Sequence, residues 1–322
     1  MIEAAKAGKK VAVVGGAGLV GAAVVEVALG AGHDVVVVDR APPRRAVHHR
    51  RVDVSTVDVA DLAAAFVGVD VVVHLVARVD PPRDGREREA MRTLHRRGTE
   101  VVVDAARAAG VSRFVLVSSA VVYGARASNP VPIVEEQTPD PCDFPYAIDK
   151  WMQEQIVRAR WGASDVAVVR PAIIYGPRAK SYLTEILRAA RLPVVKRGIL
   201  PALDGHRPPL QFVHVDDVAR VVVAAAAADD APEHDGVFNA CARDWLAYDD
   251  VAKEAGLVVV DVDGRAVGAV LERLVPLLPP SLRAPRALFP YLMHPFVLSA
   301  AKTARVLGVT TGTSRDALRT LF

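Results

Sequence analysis

Apolar residues in this chain gather into short unbroken runs rather than alternating with polar ones. KVAVV (10–14), DVVVVD (34–39), VDVVVHL (69–75), RFVLVS (113–118) and DVAVVR (165–170) are the clearest. A β-branched run with no polar face predicts a strand covered on both sides. Between these runs, GAGLVGAAVVEVALGAG (16–32) and REREAMRTLHRRGTEVVVDAARAAG (86–110) read as helices. Strands and helices in this alternation predict a parallel sheet with right-handed crossovers.

The expected fold class is therefore α/β, a Rossmann-type doubly wound parallel sheet. After about residue 176 the regular beat weakens and prolines cluster at 276–295. VFNA (237–240) and LVVVDV (257–262) still read as strands, and the Ala run at 224–228 suits a buried helix. The expected division is a nucleotide-binding domain over 1–176, with strands returning from about 209–262. A small mixed substrate-binding or lid region then occupies most of 177–322. The Pro-rich stretch is open to three readings: a lid, a membrane-surface contact or a dimer face.

Composition narrows the class. The chain has 322 residues, 52% of them hydrophobic and only 5% aromatic, so its core is built from Val, Ala and Leu. A formal net charge of +3 argues against a nucleic-acid partner, and the basic run Arg44–Arg51 reads as a solvated loop. Cys142 and Cys241 lie far apart, and Cys142 has no His/Asp pattern to support a nucleophile. The opening MIEAAKAGKK lacks an apolar leader core, and no stretch of about 18 apolar residues occurs. A cytoplasmic protein without a membrane span is expected.

In VAVVGGAGLVG (11–21), Gly15, Gly18 and Gly21 fall where the first strand turns into the first helix. Such a turn lets the backbone approach a pyrophosphate, which the N–H groups of the helix start, Leu19 and Val20 included, can then bind. Asp39 closes the second apolar run 18 residues after Gly21, where a carboxylate can accept the ribose hydroxyls of NAD. Arg40, Arg44 and Arg45 follow it and leave NADP open as the alternative. Asp53, with Val54 beside it, suits either an adenine contact or a cap on the next turn.

Tyr146 and Lys150 in YAIDK stand four residues apart, on one face of an expected helix. An ammonium there would favour the phenolate. The plainer reading is a ring laid on the core with a solvated lysine beside it.

The GxxGxxG spacing together with YAIDK resembles the short-chain dehydrogenase/reductase superfamily. VVVHLVA (71–77), GTEVVVDAARAAGVSRFVLVSSAVVYG (98–124), RPAIIYGP (170–177) and QFVHVDDVA (211–219) are similar to its extended branch, the NAD-dependent epimerase/dehydratase family. The resemblance implies Ser119, Tyr146 and Lys150 as the catalytic set, with Ser118 either assisting or satisfying backbone groups. It also implies cofactor contacts at Leu75, Ala77, Tyr146, Lys150, Pro171 and Ile173, with Lys150 on the nicotinamide ribose, and a homodimer built on the helices around 86–110 and 146–160.

Four positions depart from that family's pattern. His95 replaces an Asn, and either takes over its role or is a surface-helix histidine. Ala120 and Val121 replace the Asp-Glu pair of dehydratases, which disfavours dehydration. Ile173 and Leu210 replace an Asn and an Arg that grip a sugar-nucleotide diphosphate, although Arg178, Lys180 or Arg207 could compensate. The expectation is an NAD(P)-dependent ketoreductase or alcohol dehydrogenase acting on a fairly apolar, steroid- or natural-product-like small molecule. An NDP-sugar 4-epimerase or 4-ketoreductase is the alternative, and a catalytically silent NAD(P)-sensing protein is a third reading.

Overall fold

The computed structural model describes residues 8–79, 82, 84–176, 179, 198–228, 232–234, 236–266 and 288–320. The unbroken apolar runs become the strands β1 (Lys10–Val14), β2 (Asp34–Asp39), β4 (Val71–His74), β5 (Arg113–Val117) and β6 (Val166–Pro171). With β3 (His48–Arg51) and β10 (Gly236–Ala240) they form a seven-stranded sheet in the order β10-β6-β5-β4-β1-β2-β3, parallel throughout.

Alternate residues of each strand feed two cores. Val11, Val13, Val35, Val37, Val71 and Val73 pack under helix α1 (Leu19–Gly30) and the Val215–Ala227 helix. Ala12, Val14, Val36, Val38 and Val72 pack on the opposite face, under helices α2 (Val59–Ala65), α3 (Gly85–Ala108) and α4 (Pro145–Arg160). Burial on both faces is the physical reason the runs carry no polar alternation. β1 pairs with β2 on one side and β4 on the other, so the chain reverses its direction of winding there. A crevice at the carboxyl ends of the strands follows at that switch point.

The returning strands do not all rejoin this sheet. Only β10 does; β9 (Phe212–His214) pairs with β7 (Ile173–Tyr175), and β11 (Val258–Val262) pairs with β8 (Ile199–Leu203). These two small sheets share a separate apolar core containing Tyr175, Leu200, Leu210, Phe212, Leu246 and Tyr248. Among the described residues no helix is long and apolar enough to cross a membrane.

Candidate functional site

β1 turns into α1 through the glycines. Gly15 has φ +93°, and a Cβ there would lie 3.1 Å from the Val76 backbone nitrogen. At Gly21 a Cβ would lie 2.2 Å from the Gly15 oxygen, so the first turn of α1 rests on the loop itself. Gly18 starts the helix without a side-chain cap, and the first helical bond runs from the Ala22 N–H to the Gly18 oxygen at 2.9 Å. The N–H groups of Leu19, Val20 and Gly21 therefore point out of the helix end, where the helix dipole favours an anion.

Asp39 sits beside this turn. Its Oδ2 accepts the Ala17 N–H at 3.0 Å and its Oδ1 the Ala41 N–H at 2.9 Å, which fixes the carboxylate against the glycine turn; Arg40 next to it is exposed. Asp53 caps its own turn: Oδ1 accepts the Ser55 hydroxyl at 2.6 Å and the Ser55 N–H at 2.9 Å. Those bonds, with Arg40 nearby, hold its carboxyl below the usual range. Val54 is buried against Gly98 of α3. Leu75 follows β4, donates its N–H to the Val14 oxygen at 2.8 Å, and brings Leu75 to Ala77 opposite the glycine turn. A pyrophosphate at the α1 terminus and a ribose at Asp39 fit this cradle, because the glycine turn that carries the free N–H groups also hydrogen-bonds to the Asp39 carboxylate through Ala17.

α4 begins at Pro145, whose fixed φ suits the first helical position. One turn on, Lys150 is 2% exposed and donates its ammonium to the Val117 oxygen at 2.9 Å. Burial pushes it down to about 8, against the opposing charges of Glu154 and Asp149. The solvated-lysine reading of YAIDK is thus excluded. Tyr146 lies on the same helical face, and burial raises its phenol above the usual range. The YAIDK spacing predicts that Lys150 lowers that phenol; in the structure burial governs it.

The two serines at the end of β5 separate. Ser118 is buried and donates to Glu154 Oε1 at 2.6 Å, and Glu154 also takes Arg170 through Nε at 3.0 Å and Nη2 at 2.6 Å. The Arg170 guanidinium lies 4.6 Å over the Tyr123 ring, and Tyr123 donates to Asn239 Oδ1 at 2.9 Å. Ser118 is therefore occupied by this buried network. Ser119 is partly exposed at the start of a 3₁₀ turn, Ala120–Tyr123, and its Oγ accepts the Val121 N–H at 3.4 Å. Pro171 ends β6, and Ala172 beyond it donates its N–H to the Ala240 oxygen at 2.9 Å.

His95 is fully buried, which removes the surface-helix reading. Its ring meets Tyr146 edge-on at 6.5 Å between centroids. Around it, Thr99 donates to the His95 carbonyl at 2.6 Å and receives Gln153 Nε2 at 2.8 Å and the His74 ring at 3.1 Å. Burial, with Lys150 and His95 nearby, pushes His74 down to about 3, so it is neutral. Asp149, Gln153 and Thr99 were not singled out from the sequence; Gln153 lies seven residues after Tyr146, a face-sharing spacing that was available as a signal.

On the remaining side the wall is aromatic. Phe144 packs on Tyr146 at 6.0 Å and on Tyr291 at 5.9 Å, and Tyr291 on Phe296 at 4.8 Å. Tyr291 donates its hydroxyl to the Val121 oxygen at 2.9 Å, so this end of the Pro-rich stretch lies on the Ser119 turn. Residues 276–287 of the stretch, and Arg178 and Lys180, lie outside the described residues. Leu210 is buried and Ile173 packs against the same apolar core. Arg207 is exposed and ion-paired with Asp261 at 3.1 Å and Asp249 at 3.3 Å. Cys241 is buried, and the thiol of Cys142 points to the Asp140 oxygen at 3.4 Å. Among the described residues no group of three or more His, Cys, Asp or Glu is placed to hold a metal.

The chain is 29% identical over 332 residues to a 3-diazoavenalumate denitrifying reductase of a Streptomyces species, covering 97% of this chain and 94% of that one. It is 30% identical over 230 residues to a bovine sterol-4-alpha-carboxylate 3-dehydrogenase (decarboxylating), covering 68% of this chain and 60% of that enzyme's length. Among solved structures, MoeE5 in complex with UDP-glucose and NAD superposes with a TM-score of 0.71 at 22% identity, over 97% of both chains, a likeness of fold. The sequence model of the NAD dependent epimerase/dehydratase family matches residues 11–241. This chain is therefore an enzyme of the NAD dependent epimerase/dehydratase family.

Proposed function

We propose that the protein is an NAD-dependent ketoreductase or alcohol dehydrogenase acting on a small, apolar, ring-containing carbonyl compound. The observation that carries this reading is the aromatic wall of Phe144, Tyr291 and Phe296, continuous with the ring of Tyr146. The two positions where a sugar-nucleotide site would present an amide and a cation hold Ile173 and Leu210, both packed in an apolar core. The reductase and dehydrogenase relatives support the reaction type.

In this reading the N–H groups of Leu19, Val20 and Gly21 meet the pyrophosphate, while Gly15 and Gly18, whose own N–H groups go to the Val38 and Gly15 oxygens, shape the turn around it. Asp39, with Arg40 beside it, holds the adenosine ribose, and its carboxylate favours NAD over NADP. Asp53 and Val54 border the adenine, and Leu75, Ala77, Pro171 and Ile173 border the nicotinamide half. When bound, NAD supplies the carbon that takes or gives the hydride. Ser119 donates a hydrogen bond to the carbonyl oxygen, and Tyr146 transfers the proton to it. A phenol raised by burial is protonated at neutral pH, which suits the reductive direction. Lys150 holds positive charge beside Tyr146. The 1–176 segment and its returning strands carry the cofactor, and the rest covers the substrate. A second copy docks on α3 and α4, along the open groove that contains Met152 and Ile156.

The test is cofactor stoichiometry. Purified protein is given NADH and a panel of cyclic ketones and 3-ketosteroids, then NAD and UDP-sugars. Net NADH oxidation by a ketone supports the reading; sugar isomerisation with no net change in NADH overturns it in favour of an epimerase.

A further inference from the structure

The imidazole behind Tyr146 has a fixed hydrogen. His95 Nε2 accepts the backbone N–H of Arg78 at 2.9 Å. A backbone N–H only donates, so the ring's hydrogen is on Nδ1, from which it is donated to Asp149 Oδ2 at 2.8 Å. Asp149 is 5% exposed and immediately precedes Lys150. A buried carboxylate is costly unless it is hydrogen-bonded and faces a cation. His95 supplies the hydrogen bond, and Lys150, the next residue of α4, is the cation whose charge the carboxylate opposes at longer range.

Of the two opposing charges on Lys150, Glu154 is the stronger, and it is shared with other partners. Glu154, one turn further along α4, is bonded through both oxygens to Arg170 of β6 and also accepts Ser118. His74 of β4 is neutral, Tyr146 of α4 is a phenol, and β5 presents only the Val117 carbonyl. Asp149 is bonded to a neutral ring, so no cation of its own cancels its charge, and it acts on Lys150 as the second opposing charge after Glu154. The Arg78 bond, meanwhile, ties the loop after β4 to the same pair.

We propose that His95 and Asp149 are a positioning pair: His95 holds the Asp149 carboxylate in place, and that carboxylate adds to Glu154 in holding Lys150 as an ammonium inside the buried site. The pair touches neither substrate nor cofactor and acts through Lys150. The proposal rests on the reading of Tyr146 and Lys150 as the acid–base couple.

The test needs no substrate. In protein labelled with ¹⁵Nζ-lysine, eight lysines give signals, and Lys150 is the one lost in Lys150→Met. Its shift is followed against pH in the wild type, Asp149→Asn, His95→Leu and His95→Gln. Asp149→Asn, nearly isosteric, lowers the Lys150 midpoint by about one pH unit or more, the effect of removing a close opposite charge. His95→Leu lowers it as well. His95→Gln restores the wild-type midpoint, because an amide can accept from Arg78 and donate to Asp149. An unchanged midpoint in Asp149→Asn overturns the proposal, as does an equal shift in the Leu and Gln variants, which would mark His95 as packing only. Full activity in Tyr146→Phe would instead remove the acid–base reading and leave the titration result standing.

Discussion

Lys150 donates its ammonium to the Val117 carbonyl at 2.9 Å, so one buried charge joins the end of β5 to the first turns of α4. Burial brings that ammonium down to about 8, so it is present below this pH and lost as pH rises through it. A reaction that requires the charge declines on the alkaline side with a midpoint near 8. The pH–rate profile of NADH consumption checks this. Lys150→Met lowers the rate about 10²-fold or more across the range and abolishes the limb. A wild-type profile flat to pH 10 would contradict the assignment.

The contact between Gly21 and the Gly15 oxygen gives a second prediction. A methyl group at residue 21 would lie 2.2 Å from backbone, which cannot give way as a flexible side chain would. Gly21→Ala therefore destabilises the fold by about 1–3 kcal/mol and weakens NAD binding at least tenfold. Thermal unfolding and NAD titration followed by tryptophan fluorescence measure the two effects. Gly30→Ala is the control, since nothing lies within 4 Å of its added Cβ.

In the proposed reading Asp39 decides which dinucleotide is accepted. Replacing it with Ala removes a charged acceptor from the ribose, worth about 1.5–3 kcal/mol, so NAD affinity falls roughly 10- to 100-fold. The same change removes repulsion toward a 2′-phosphate beside Arg40, and NADP affinity rises. Titrating both cofactors into wild type and Asp39→Ala tests this; an unchanged NAD/NADP ratio would show that Asp39 faces neither.

The Glu154–Arg170 pair is the main buried ion pair behind the site, with both side chains essentially inaccessible. Removing one partner leaves a buried charge uncompensated. Arg170→Leu should therefore cost about 3–5 kcal/mol, read as a shifted denaturation midpoint. Ser118→Ala, which removes only a hydroxyl from Glu154, should cost about 1 kcal/mol and leave turnover near wild type. A large loss of turnover in Ser118→Ala with intact stability would place Ser118 in the chemistry.

The parts of the molecule legible in the sequence are those whose physics is local. Unbroken Val runs announce strands buried on both faces, and the glycine turn announces itself because a positive φ and a close helix leave no alternative. Pairing partners are not local. The run at 257–262 looks like another strand of the main sheet, yet it pairs with Ile199–Leu203, a choice its composition does not encode. Adjacent Ser118 and Ser119 must face opposite sides of an extended chain, but only tertiary structure shows that Glu154 claims the first. His95 was legible as a departure and not as a partner of Asp149, which lies 54 residues away on another helix. The aromatic wall needed Tyr291 and Phe296 brought back onto the Ser119 turn, across 170 residues between Tyr291 and Val121.

The most direct test of the whole account is the rate of NADH-dependent ketone reduction by Tyr146→Phe, on whichever ketone of the panel the wild type turns over. The substitution keeps the ring against Phe144 and His95 and removes only the proton donor. The account predicts a loss of about 10²- to 10⁴-fold in kcat with NAD binding unchanged. Turnover at the wild-type rate would contradict it.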